Sequence, residues 1–97
     1  MYDSKLKSED LDRLFTAVLS LESLEECYMF FEDVCTISEL MSISQRLKVA
    51  AFLKEPHPCH DISDTVGAST ATISRVNRCL NYGTGGYNKV LDRIKEK

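Results

Sequence analysis

The chain has 97 residues, 43% hydrophobic and 28% charged, with a net charge of −3, no tryptophan, two prolines and four cysteines. This balance excludes disordered and fibrous classes and an overtly basic polyanion binder, and the length allows one small domain whose limited core would gain from a partner subunit. No apolar run approaches the roughly 18 residues of a membrane span, and the opening MYDSKLKSED lacks the apolar middle of a signal peptide, so a cytoplasmic protein with no membrane partner is expected.

Leu11, Leu14, Phe15, Val18 and Leu19 form the stripe of an amphipathic first helix, with Ser8 placed to cap it and Glu9 and Asp10 near its positive end. Ser23 and Glu26 stand at capping-box spacing, and Leu24, Cys27, Tyr28, Phe31 and Val34 continue a second helix on one face. Thr36 and Glu39 repeat the device, so a third helix starts after a short connection. From Ser42 to Lys54 the third helix is apolar at Ile43 and Leu47 and almost continuously from Val49 to Leu53. Such a helix is buried on several sides, and so short a chain has little to cover it, which predicts a homodimer. Pro56 and Pro58 end this segment. No alternating β-branched segment occurs, and the fold is expected to be all-α, with dimerisation helices in residues 1–55.

Charge divides along the chain. Met1 to Glu55 carries eleven acidic and six basic residues, and Pro56 to Lys97 carries four and six. In the more positive half, Gly67 has apolar residues at −5 (Ile62), −1 (Val66), +1 (Ala68), +6 (Ile73) and +9 (Val76), the spacing of two short helices crossing at a tight turn. Residues 59–81 are therefore expected to form a helix-turn-helix. Ser69 would cap the second helix, Ile73 and Val76 would face inward, and Thr70, Ala71 and Ser74 would face out. Small side chains let a helix seat deeply in a major groove, while Arg75 and Arg78 are long enough to reach phosphate or guanine, and His60 is placed for a phosphate contact. The spacing alone also fits a helix pair that binds nothing.

VGASTATISR, the upstream CTISELMSISQRLKVAAFL, and the LEECY and RCLNYG phrases resemble the Trp repressor superfamily, especially its small YerC/YecD-type members. The resemblance covers most of the chain. It implies a cytoplasmic bacterial protein, an intertwined helical homodimer whose paired helix-turn-helix units bind double-stranded operator DNA. It also implies that Thr36, Arg46 and Arg75 match positions around the repressor's small-molecule ligand, and that Cys79 stands where the repressor has a ligand-side serine. Val76 replaces a glycine beside the ligand's indole ring, and a branched side chain there crowds that ring. An effector, if one exists, is expected not to be tryptophan.

His57, Cys59 and His60 lie too close together and supply too few ligands for a tetrahedral metal site, so no metal or other cofactor is expected, an unidentified co-repressor aside. The cysteines have no C-x-x-C spacing and read as reduced thiols. Residues 81 to 87, NYGTGGY, follow a helix and lack the lysine and Ser/Thr pair of a phosphate-binding loop; Gly83 reads as a helix stop. A last helix over 86–97 is expected to be anchored by Leu91 and Ile94, with Lys89, Arg93, Lys95 and Lys97 on a solvated face. An enzyme built on Cys59 and His60 lacks an acid, base and orienting group, which leaves a DNA-binding regulator and, as the alternative, a dimeric interaction module without DNA binding.

Overall fold

The computed structural model describes residues 4–54 and 68–95, and among these residues the regular structure is entirely α-helical. The expected proline break, the expected helix over Ile62 to Val66 and the expected Gly67 turn, with His57, Cys59, His60 and Lys97, fall outside the described residues. The chain divides into two compact units, Met1–Ile37 and Ser38–Lys97.

The first unit holds α1 (Glu9–Leu19) and α2 (Leu24–Val34). Ser8 is extended and its Oγ accepts from the Leu11 N–H at 3.1 Å, and Glu9, Asp10 and Asp12 fill the first turn, where the helix dipole favours anions. Ser23 caps α2 in the same way, accepting from Glu26 N–H at 3.1 Å. The other arm of the expected box is displaced by one residue: Glu26 Oε1 accepts from Glu22 N–H at 2.9 Å, not from Ser23. Leu11, Leu14 and Val18 are half-buried, yet Phe15 is 56% and Leu19 85% exposed, and neither helix contains a buried residue. Phe30 and Phe31 meet edge to face, with ring centroids 5.3 Å apart.

The second unit contains most of α3 (Ile37–Lys54), which begins directly after Thr36, together with α4 (Thr70–Tyr82) and α5 (Gly86–Lys95). Val49 and Ala50 of α3, Ala68, Val76 of α4 and Leu91 of α5 form its buried core, with Phe52, Leu53, Ile73, Leu80 and Tyr87 packed around them. Cover over α3 is one-sided. Val49 is fully buried, whereas Ile43 and Leu47 of the same helix are 52% and 37% exposed.

Two polar contacts add to the core packing of α5. Lys54 Nζ pairs with Asp92 Oδ1 at 3.1 Å, and Asn88 Nδ2 donates to the Leu80 carbonyl at 3.4 Å, satisfying one of the unbonded carbonyls at the end of α4. Gly83 ends α4 as expected, and its role is close approach: a Cβ there would collide with the Cys79 carbonyl oxygen, while its own N–H donates to that oxygen at 2.9 Å. Gly85 supplies the left-handed residue of the connection, with φ 89°. Leu91 is buried as expected, but Ile94 is half exposed, so the last turn of α5 is less anchored than its spacing suggests.

Candidate nucleic-acid interface

α4 is built from its cap outward. The Ser69 hydroxyl accepts from Thr72 N–H at 3.2 Å and donates to Thr72 Oγ1 at 3.1 Å, so both its donor and one acceptor site are spent on starting the helix. Val76, at 1% exposure, and the half-buried Ile73 and Leu80 fix the inward side against the core. The helical period then turns Ala71, Ser74, Arg75 and Arg78 to the opposite side, and all four are exposed, as is Thr70. α4 contains no acidic residue. The result is a helix that exposes the small side chains of Thr70, Ala71 and Ser74 near its start and two arginines, Arg75 and Arg78, after them.

Of the other residues singled out in the sequence, Arg46 and Cys79 share a cleft of about 580 Å³. Ile43 and Leu47 of α3, Tyr87 and Val90 of α5, and the linker 83–86 complete its lining. This volume lies within the range of small-molecule sites, and Arg46 is the one charged residue among those described around it. Arg75 does not line it; it stands on the exposed side of α4 with Arg78. Thr36 is exposed and belongs to the first unit. Within the second unit, Arg46 and Cys79 of the expected effector group share this cleft. His60 lies outside the described residues.

Besides Cys79, three exposed residues of α4 have no place among the DNA contacts expected from the sequence: Asn77, Asn81 and Tyr82. Asn81 Nδ2 donates to the Asn77 carbonyl at 3.0 Å and to Asn77 Oδ1 at 3.3 Å. Tyr82 is 86% exposed and follows Arg78 by four residues and Arg75 by seven, a spacing already visible in the sequence.

These features define a helical protein with a capped, acid-free helix that buries one side and exposes the other. Residues 9–95 match the Trp repressor protein family, and the chain belongs to that family. It is 56% identical over 96 residues to the uncharacterized protein YerC of Bacillus subtilis (strain 168), covering 99% of this chain and 92% of the relative. A TrpR-like protein from Eubacterium eligens has a solved structure that is similar at a TM-score of 0.87 and 56% identity, over 94% of each chain. A candidate Trp repressor from Staphylococcus aureus is similar at a TM-score of 0.88 and 49% identity, over 96% of this chain and 93% of the other.

Proposed function

We propose that the protein is a sequence-specific DNA-binding transcriptional repressor that acts as a homodimer, with α4 as its recognition helix. The observation that carries this reading is the sidedness of α4, where Val76 is buried in the core while Ala71, Ser74, Arg75 and Arg78 are all exposed on an acid-free helix. Thr70, Ala71 and Ser74 enter the groove, Arg78 meets the backbone, and Arg75 contacts phosphate or guanine. Ser69 contributes by fixing the helix start, and His60 is assigned a phosphate. A protein working on the bacterial chromosome acts in the cytoplasm.

The dimer is supported by what the chain leaves uncovered. Phe15, Leu19, Leu24, Tyr28 and Met29 of the first unit are each more than half exposed, and in the second unit Ile43 and Leu47 of α3 are uncovered as well. So much apolar area calls for a second copy. Two recognition helices in a dimer would enter successive major grooves about 34 Å apart. Any effector is a small molecule other than tryptophan; Arg46 at the cleft would pair with an anionic group on it.

Selection of bound duplexes from a randomised pool with the purified protein tests the reading. One related set of sequences should be recovered. Ala71→Glu should abolish binding to that set without lowering the melting temperature, because its carboxylate would enter the groove from an exposed helix position. Recovery of no sequence above background, or an Ala71→Glu protein that binds as the parent does, would replace this function with that of a dimeric interaction module.

A further inference from the structure

We propose that Tyr82 is a backbone anchor of α4, its phenolic hydroxyl donating a hydrogen bond to a DNA phosphate that flanks the groove. The inference rests on the reading of α4 as the recognition helix and extends it to a residue that neither groove-facing composition nor charge would select.

Helix length sets the geometry. Thirteen residues at 1.5 Å each make α4 about 20 Å long, and a major groove is about 12 Å wide. In a docking that lays such a helix across the groove, entered by its first two turns, the last turn passes over a sugar–phosphate strand. Tyr82 lies eleven residues beyond Ala71, about 16 Å along the axis, and eleven residues are close to three whole turns, so it returns to the same face. Arg78, one turn earlier, lies on that face too.

The chemistry of this turn favours the tyrosine over its neighbours. Leu80 packs against the core, and the Asn81 amide donates to Asn77 within the helix. Tyr82 is 86% exposed, although the side chain is large and apolar enough to be drawn into a core. A single exposed aromatic residue is ordinary; here it is aligned with two arginines. The end of a helix repels an anion through its bare carbonyls, and here two of the last four have partners, Cys79's accepting from Gly83 N–H and Leu80's from Asn88, which lessens that repulsion. A neutral phenol can then meet a phosphate there, as tyrosine hydroxyls do at protein–DNA backbones.

The test uses the full chain, the duplex recovered by selection and a scrambled duplex, with affinities measured over a range of salt concentrations. Tyr82→Phe should weaken both duplexes alike, by about fivefold to a hundredfold, as loss of one hydrogen bond from each subunit of the dimer predicts. The dependence of log affinity on log salt should keep its slope, because a neutral donor releases no counterion. Arg78→Ala, measured alongside, should lower that slope by about one for each phosphate no longer neutralised. If Tyr82→Phe binds both duplexes as the parent does while Ala71→Glu still loses the recovered duplex, the anchor is refuted and the recognition helix stands. If Ala71→Glu is silent as well, both readings fall. A Tyr82→Phe protein that sediments as a monomer would also overturn the proposal, since it assigns the residue to a subunit contact.

Discussion

α1 and α2, each 11 residues long and each capped by a serine, leave no side chain buried, whereas α3, α4 and α5 contribute to a core around Val49, Val76 and Leu91. Local signals are equally good in both units, since Ser8, Ser23 and Ser69 all make the hydrogen bond their position predicts. Caps and an amphipathic stripe therefore start a helix without determining what covers it. Isolated helices of this length are marginal in water, so α1 and α2 depend on packing against something else, and the second unit does so less. In the proposed regulator the division has a use. A second unit with its own core can hold α4 rigid, while the apolar surface of the first serves for pairing of subunits.

The largest effect should come from charging the uncovered surface. Phe15→Glu and Leu47→Glu, one in each unit, should each abolish the dimer and cooperative melting together, because an unpaired carboxylate would be trapped in the shared core. If no subunit covered these positions, the side chains would stay at a surface where substitution changes stability by about 0.5 kcal/mol or less. Sedimentation and thermal melting separate the two cases. A folded Phe15→Glu dimer would remove the first unit from the interface.

A middle-sized effect is expected at Leu91, which is 8% exposed and belongs to the second unit's own core. Leu91→Ala should destabilise by about 2–3 kcal/mol, through lost transfer energy and an unfilled cavity, and leave a folded dimer. Calorimetry of the variant beside the parent measures this. A loss below about 0.5 kcal/mol would mean that α5 adds little to the core.

Most of the fold is legible in the sequence because its signals are local. Serine caps act over three residues, and the 3.6-residue period separates Ile73 and Val76 from Ala71, Ser74 and Arg78 without knowledge of the rest. What stays hidden depends on docking between distant segments. Arg46 and Tyr87 are far apart in sequence and share a cleft only because α5 packs against the second-unit core. The same limit explains Ile94, whose spacing from Leu91 suits burial but whose side chain is half exposed at the end of α5. Gly83 and Gly85 are indistinguishable by composition, yet one is needed for a close approach and the other for a left-handed backbone. Tyr82 is the exception: the helical period aligns it with the arginines, but it has neither the charge nor the small size that marks a DNA contact in a sequence.

The smallest expected effect is none at all, and it concerns the cleft. Adding tryptophan to about 1 mM, the upper end of ordinary small-molecule affinities, should leave the melting temperature of the dimer unchanged. Val76, which by the resemblance replaces a glycine beside the ligand ring, is 1% exposed and packed in one core with Val49, Ala50 and Leu91, so it cannot turn aside without opening that core. Arg75 and Arg46 are also divided between two surroundings: Arg46 lines the cleft, and Arg75 stands on the exposed side of α4. A carboxylate held by Arg46 alone would lose the second charged partner on which the resemblance to the repressor's site depends. Any ligand that binds only the folded state must stabilise it, by about 2.7 kcal/mol at a hundred times its Kd. An unchanged melting curve would therefore exclude a tryptophan site filled at that concentration. An upward shift would show that Val76 moves aside, and Val76→Gly should then enlarge the shift despite weakening the core.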